Sequence, residues 1–172
     1  VLTTLHTNSA PESITRLLEM GMDPFSFQDA MLAVLAQRLT KRLCPDCKRP
    51  YIAEHEELMA LAREYRDDTD DDAAEALVDG WLKTYGQDGE VRLFEATGCK
   101  ACDHSGYRGR IGLHELLLNN DEIRKLIAHH ATVEELRRAA FTDGMRSLKQ
   151  DGIEKILVGH TDIHQVRRVS IR

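Results

Sequence analysis

The chain has few aromatic residues and no long apolar stretch, and both deficits limit the classes of protein to which it can belong. Only 5% of its 172 residues are aromatic, whereas 30% are charged, a balance typical of a helix-rich soluble protein. A membrane-spanning helix needs about 20 apolar residues in succession, and no such run occurs. Signal-peptide, repeat and low-complexity patterns are also missing. We therefore expect one or two small domains and no transmembrane segment.

The chain begins without a methionine, on the apolar and β-branched residues 1 to 6. The polar residues 7 to 9 follow directly. This pattern predicts a buried strand that ends in a loop. A sequence that opens in the middle of a strand is expected to be a piece of a longer protein.

Acidic residues are concentrated in one stretch. The net charge is −6, but residues 54 to 79 alone hold eleven Asp or Glu against Arg63 and Arg66, a local charge of −9. Domains that bind nucleic acid are usually basic. We therefore expect no nucleic-acid partner.

The chain has only four cysteines, and they form two C-x-x-C pairs, Cys44-Pro-Asp-Cys47 and Cys99-Lys-Ala-Cys102. Four thiolates are a tetrahedral ligand set of structural Zn²⁺, and two intervening residues let both thiolates of a pair reach one ion. The 51 residues between the pairs exceed the about 15–20 of a short zinc module. The spacing therefore predicts a structural zinc site that closes the base of an insertion, with no open position for catalysis at the metal.

Other interpretations of the four cysteines remain open at this level. Two disulfides would suit a secreted protein, but nothing suggests secretion. A redox-active thiol site would be a single pair beside a βαβ pattern. A rubredoxin-like iron site has similar C-x-x-C turns, which are called knuckles. The four thiols can also be reduced and free of metal. Basic residues close in sequence would offset the negative charge of four thiolates on zinc; they are Lys41, Arg42, Lys48, Arg49, Lys100 and Arg108.

The first third of the chain predicts two helices and a strand. Asn8 or Ser9 caps a first helix that ends near Gly21, and Asp23 opens a second helix whose apolar face reaches Leu35. Residues 36 to 43 then alternate, which favours a strand, although a continued helix is the alternative. The apolar face assigned to this strand consists of Leu35, Leu39 and Leu43.

A second alternating segment, residues 109 to 117, follows the second cysteine pair. One face of this predicted strand carries Ile111, Leu113, Glu115 and Leu117. We expect the two strands to pair antiparallel, with the zinc site at the point where the hairpin opens to admit residues 48 to 98. The insert itself, residues 52 to 95, predicts two amphipathic helices. Trp81 and Tyr85 then form either a small core between these helices or a surface for a partner, and the core is the favoured interpretation.

The tail predicts four more helices. Asn120 is expected to cap the first, and Thr132 with Glu135 forms a capping box for the second. Residues 145 to 158 predict a third helix, loosened at Gly152, and Thr161 is expected to cap the last. The fold class is therefore α+β and mainly α-helical.

Several segments together resemble one known family. Leu-Thr-Thr-Leu-His-Thr-Asn (2–8) resembles the histidine box of the ATPases of type II secretion and type IV pilus assembly. Residues 34–47, and the stretch from Cys99 through Gly-Tyr-Arg-Gly-Arg-Ile-Gly-Leu-His-Glu-Leu-Leu (106–117), resemble the two cysteine-bearing segments of the assembly type. Residues 144–152 are similar to the C-terminal helices of that family. The acidic insert is longer than the family pattern.

The resemblance implies a hexameric, RecA-like P-loop ATPase in the bacterial cytoplasm, peripheral at the inner membrane. Such an enzyme couples ATP hydrolysis to the movement of pilin or pseudopilin platform proteins. Residues 1–35 would then be the end of the RecA-like core, and 36–118 a zinc-binding subdomain that contains the acidic helical insert 52–95. Residues 119–172 would form a C-terminal helical subdomain. The implied cofactors are one structural zinc, with ATP and magnesium in the intact parent.

The same resemblance suggests three further site residues. His6 would be the histidine-box residue that senses the γ-phosphate, with a local turn contact as the alternative. Arg110, and with less support Arg108, would contact the nucleotide, because an arginine stacks on a purine and binds phosphate oxygens. Charge compensation of the thiolates is an equal alternative for Arg108, and Arg38 is a further candidate for the nucleotide.

The sequence contains no G-x-x-x-x-G-K-[ST] motif and no acidic Walker B strand. In the family both lie upstream of the histidine box. Since the lysine and the magnesium-binding carboxylate are needed for phosphoryl transfer, we expect these 172 residues not to hydrolyse ATP alone. A free-standing zinc-ribbon module for protein interaction is the alternative function.

Overall fold

A computed structural model describes residues 1 to 170 and shows an α+β chain with about 48% helix. The helices of the described chain are α1 (Ala10–Glu19), α2 (Pro24–Ala30), α3 (His55–Arg66), α4 (Asp71–Tyr85), α5 (Asp121–Ala128), α6 (Val133–Thr142), α7 (Leu148–Leu157) and α8 (Ile163–Val169). The strands are β1 (Ala33–Leu43), β2 (Arg49–Ile52), β3 (Arg92–Glu95) and β4 (Tyr107–Leu118). No helix within residues 1–170 combines the length and apolarity that a membrane crossing requires.

The chain folds as two compact units. The first consists of Val1–Gln37 and His114–Leu148, and the second of Arg38–Leu113 and residues 149 to 170. β1 pairs with β4, and β2 pairs with β3. Gln37 contacts His114, whereas the later Cys44 donates its N–H to the earlier Gly106, so β1 and β4 run antiparallel as predicted.

Side-chain caps determine where the first two helices begin. The Ser9 hydroxyl accepts the N–H of Glu12 at 3.3 Å, and the Asp23 carboxylate accepts the N–H of Ser26 at 2.8 Å. Both predicted starts are confirmed. The second helix nevertheless stops at Ala30, because Met31 is already extended and pairing with β4 takes over. The expectation that its apolar face reaches Leu35 was therefore wrong, and the predicted strand at 36–43 is confirmed with an earlier start.

Residues 1 to 7 form neither strand nor helix, so the prediction of a buried strand at residues 1–6 was wrong. A strand needs a neighbour to satisfy its backbone groups, and no strand within residues 1–170 pairs with this segment. Its end is anchored by side chains instead. The Thr7 and Ser13 hydroxyls lie 2.6 Å apart, and the N–H of Asn8 donates to the Glu12 carboxylate at 2.9 Å.

The alternation of β4 is as predicted, with Leu113, Glu115 and Leu117 buried. The face assigned to β1 was wrong for Leu35 and Leu39, which are 59% and 53% exposed, and right for Leu43, which is 1% exposed. The buried face of β1 instead carries Ala36 and Thr40. A polar residue is tolerated there because the Thr40 hydroxyl donates to the carbonyl of Gln165 at 2.9 Å.

One apolar cluster forms the core of the first unit. It joins the buried faces of α1, α2, α5 and α6 to the strand residues Ala36 and Leu117. Its buried members are Ala10, Ile14, Phe27, Met31, Ala36, Leu117, Ile123, Ile127, Leu136, Ala140 and Met145.

The acidic insert in the second unit is a pair of packed helices. The rings of Tyr65 on α3 and Trp81 on α4 meet edge to face, with centroids 5.7 Å apart. Trp81 is 5% exposed, so the interpretation of a small core is confirmed for Trp81, whereas Tyr85 is half-buried. Asp70 caps α4 by accepting the N–H of Ala73 at 3.1 Å. The antiparallel pairing of β2 with β3, which precede and follow these helices, was not predicted from the sequence.

The tail helices follow the predicted caps with two corrections. Asn120 and the Thr132 capping box are confirmed. The third tail helix begins at Leu148 rather than residue 145. The cap of α8 is Asp162, because the hydroxyl of Thr161 donates to the carbonyl of Lys41 at 2.8 Å and is not available as a cap.

Candidate metal centre

The two cysteine pairs lie in two tight turns of the second unit. Cys44 follows β1 directly, and the N–H of Lys48 returns to its carbonyl at 2.9 Å. Cys99 precedes a short 3₁₀ helix that ends at Cys102, and the N–H of His104 returns to the Cys99 carbonyl at 2.9 Å. The paired strands β2 and β3 bring the two ends of the insertion together beside these turns.

The four sulfur atoms form a compact cluster whose Sγ atoms all lie within 4.8 Å of one another. The Sγ atoms of Cys44 and Cys99 are 4.0 Å apart, and Cys102 lies 3.8 Å from both Cys47 and Cys99. A tetrahedral Zn²⁺ with sulfur ligands at about 2.3 Å requires sulfur separations of about 3.8 Å, whereas a disulfide bond is about 2.05 Å long. All four cysteines are free. The donors and their spacing therefore fit one tetrahedral metal ion rather than two disulfides.

Backbone N–H groups prepare one thiol for ionisation. Cys102 Sγ accepts the N–H of Cys99 at 3.2 Å and that of Gly106 at 3.3 Å, which lowers the pKa of Cys102 to about 6. Burial raises the pKa of Cys99 to about 11 and also raises the pKa of Cys44. Metal binding would release protons from the Cys44 and Cys99 thiols, whose pKa values are raised by burial.

Two glycines are required by the shape of the second turn. Gly98 has φ +94°, and a Cβ there would lie 2.6 Å from the carbonyl oxygen of His104. Gly106 has φ +77°, and its Cβ would lie 2.6 Å from the Cβ of Ala96. Any other residue at these positions would strain the backbone and displace the cysteines.

Among the basic residues expected to offset the thiolate charge, Lys48, Arg49 and Arg108 form hydrogen bonds or ion pairs with other groups. Lys48 Nζ donates to the carbonyl of Gly159 at 2.7 Å, and Arg49 forms an ion pair with Glu95. Arg108 Nη1 lies 3.1 Å from the carboxylate of Asp46, a residue inside the first cysteine pair. Arg108 therefore links the beginning of β4 to the first knuckle.

The remaining predicted site residues are distributed over both units. His6 is exposed in the irregular segment of the first unit. Arg110 is exposed on β4, and Arg38 is half-buried on β1, both in the second unit. The structure thus brings together the four cysteines and Arg108, and it places His6 in the other unit.

Sequence reasoning did not assign a role to Glu115, which is 6% exposed in the first unit. Its carboxylate accepts the N–H of Ala10 at 2.8 Å and also the N–H of Leu148. Burial raises the pKa of this carboxyl above its ordinary value. The available signal was a glutamate on the otherwise apolar face of a predicted strand, where an acid needs dedicated hydrogen-bond donors.

Comparison with known proteins identifies a family to which the chain is similar. A family model described as type II/IV secretion system protein matches residues 1–168. The chain is 39% identical to the type II secretion system ATPase E of Vibrio cholerae and 41% identical to the type II secretion system protein E of Pseudomonas aeruginosa. Each match covers 99% of this chain and 29% of the relative.

A pilus protein is similar as well. The type IV pilus assembly ATPase PilB of Thermus thermophilus is 37% identical over 96% of this chain and 16% of its own length. The chain therefore spans less than a third of the length of these curated relatives.

Proposed function

The chain belongs to the type II/IV secretion system protein family, and on this premise we propose that it is the zinc-binding and C-terminal helical region of an ATPase. In the parent protein this enzyme would power assembly of a type II secretion pseudopilus or a type IV pilus. The match of the family model across residues 1–168 is the observation that carries the proposal. We further propose that residues 1–35 are the end of a RecA-like core and that the parent is a hexamer, cytoplasmic and peripheral at the inner membrane.

The zinc would be structural in this proposal. Four cysteine ligands leave no coordination site for a substrate or water. The sulfur cluster lies where the inserted segment begins and ends, next to the paired strands β2 and β3. The ion would hold the two ends of the inserted segment together and would take no part in catalysis.

The nucleotide contacts are proposed for His6 and Arg110. His6 would sense the γ-phosphate of ATP bound with magnesium in the parent, and its exposure leaves the imidazole accessible. Arg110 would contact the nucleotide from β4, where it is also exposed. The ion pair of Arg108 with Asp46 favours a bracing role at the first knuckle for that arginine. We propose that the 172 residues alone do not turn over ATP.

Steady-state ATPase assays on the purified parent and on this chain test the proposal. We expect magnesium-dependent turnover by the parent and none by the chain. His6→Ala in the parent should lower kcat at least tenfold, whereas the exposed control His129→Ala should leave it within twofold. Arg110→Ala should raise KM for ATP more than Arg108→Ala does. Robust turnover by this chain, or a parent that is indifferent to His6→Ala, would refute the corresponding assignment.

A further inference from the structure

A cavity of about 360 Å³ lies within the second unit, bordered by α3, the paired strands β2 and β3, and the first turn of α8. Neither the metal centre nor the proposed ATPase role uses it. Its volume is in the range of cavities that accept a small ligand or a side chain. The apolar floor consists of Leu61, Leu93 and Ile156, which are all buried.

Aromatic rings form the walls of this cavity. Tyr51, Phe94 and Tyr107 line it. Two of these rings already attract ammonium groups: Lys48 Nζ lies 4.2 Å from the centroid of Phe94, and Lys41 Nζ lies 5.6 Å from that of Tyr107. Such walls suit a ligand that combines an apolar stem with a positive charge.

Four carboxylates line the cavity, and two of them are neutralised by arginines. Glu64 forms an ion pair with Arg167, which also lines the cavity, and Glu95 forms one with Arg49. These two carboxylates therefore have cationic partners within the protein.

The other two carboxylates, Glu57 and Asp162, are held by neutral donors. Tyr51 donates its hydroxyl to Glu57 at 2.6 Å, and Tyr107 donates to Asp162 at 2.6 Å. Asp162 also accepts the N–H of Gln165 at 3.0 Å. Within residues 1–170 neither Glu57 nor Asp162 has an ion-pair partner.

The phenols remain protonated over the physiological range. Burial raises the pKa of Tyr51, and hydrogen bonding to Glu57 and the nearby charges of Glu95 and Asp162 raise it further. Burial likewise raises the pKa of Tyr107, and the hydrogen bond to Asp162 adds to the effect. Both carboxylates are therefore held in place by neutral phenol donors, and a carboxylate that accepts one or two hydrogen bonds has further acceptor capacity.

We propose that this cavity binds an arginine or lysine side chain of a basic segment in a partner protein. The aliphatic stem would lie along the aromatic walls, and the cationic head would reach Glu57 and Asp162. The acidic stretch 54–79, which contains α3 and carries a charge of −9, would attract such a segment over a longer range. This binding would be independent of the ATPase assignment.

An NMR titration of the chain with acetyl-Leu-Arg-Leu-amide tests the proposal. We expect saturable shifts of the Tyr51, Phe94 and Tyr107 ring signals that weaken as salt is raised. The uncharged peptide acetyl-Leu-Gln-Leu-amide should bind at least fivefold more weakly. Equal affinities of the two peptides, or ring signals that do not shift, would overturn the proposal.

Two variants and a matched control locate the binding. Glu57→Gln should weaken binding of the arginine peptide at least fivefold, whereas Glu56→Gln removes the same charge from an 80% exposed position and should change it less than twofold. Ala60→Met, at an exposed position on the cavity lining, should obstruct the cavity and abolish binding while α3 remains folded. Equal losses of affinity in both glutamine variants would show that the peptide binds the acidic surface without using a specific site. Unchanged affinity in Ala60→Met would exclude the cavity as the binding site.

Discussion

The carboxylate of Glu115 on β4 accepts a hydrogen bond of 2.8 Å from the backbone N–H of Ala10, the first residue of α1 and 105 positions earlier in the chain. The N–H of Leu148, the first residue of α7, also donates to this carboxylate. Helix N-termini favour negative charge because their first N–H groups are unpaired and because the helix dipole places partial positive charge there. One strand residue therefore satisfies the starts of two helices, and it anchors α1 directly after residues 2–8.

Removing this carboxylate should destabilise the protein. Glu115→Ala would leave two buried N–H groups without their acceptor, so we expect a loss of about 2–4 kcal/mol in the free energy of unfolding. Urea denaturation followed by circular dichroism measures the change. Glu19→Ala, which alters an exposed glutamate in the last turn of α1, should cost less than about 0.5 kcal/mol. Similar losses in the two variants would contradict the capping role.

The raised pKa of Glu115 predicts a specific pH dependence. Because the folded pKa lies above the ordinary value of 4.5, the folded state binds the proton more tightly than the unfolded state. Its contribution is therefore fully present below pH 4.5 and is lost as the pH rises through the folded pKa. The difference in unfolding free energy between wild type and Glu115→Gln, which cannot ionise, should fall across this window and be flat above it. A difference that grows with pH would mean that the N–H donors outweigh burial and lower the pKa.

Gly152 in α7 should not tolerate a methyl group. A Cβ at this position would lie 2.5 Å from Cγ1 of Val166 and 3.3 Å from Cδ1 of Leu113. We expect Gly152→Ala to cost about 1–3 kcal/mol through overpacking, measured by urea unfolding. Gly80 in α4 has no atom within 4 Å of its Cβ position, so Gly80→Ala should gain up to about 1 kcal/mol from helix propensity. A gain in both variants would show that the helices α7 and α8 separate easily.

Metal removal should unfold the region around the knuckles. Elemental analysis of protein purified without a metal-binding tag should give about one zinc per chain. Since structural zinc in small peptides contributes about 10–16 kcal/mol of apparent binding energy, chelation should abolish the native NMR signals around Cys44 and Cys99. Cys47→Ser should lower the zinc content and the native NMR signals together, whereas Ser105→Ala should keep the zinc. Folded protein with clearly less than one zinc would refute the structural role.

Four helix starts and the two cysteine pairs were accessible from the sequence because both are local. Ser9, Asp23, Asn120 and Thr132 each cap a helix by accepting an N–H three residues onward. Two cysteines separated by two residues likewise define a knuckle without reference to the rest of the chain. The resemblance of the segments around them to a secretion family agreed with the family match over residues 1–168.

The errors concern contacts between distant segments. Leu35 and Leu39 of β1 were assigned to the buried face, but Thr40 lies there because the carbonyl of Gln165 is its partner. Asp162 caps α8 instead of Thr161, because the Thr161 hydroxyl donates to the backbone carbonyl of Lys41. Strands β2 and β3 have four residues each, too few for an alternating pattern to stand out.

The sequence by itself determined the two C-x-x-C pairs, the starts of α1, α2, α5 and α6, and the family, since each depends on residue types at short, definite spacings. Only the tertiary structure decided that the four sulfur atoms meet within 4.8 Å, that Glu115 holds two helix starts, and that Glu57 and Asp162 face one cavity. The physical reason is that hydrogen bonds and burial depend on which surfaces meet in space. The partners of Glu115 lie 105 residues before it and 33 after it, beyond the reach of any local pattern.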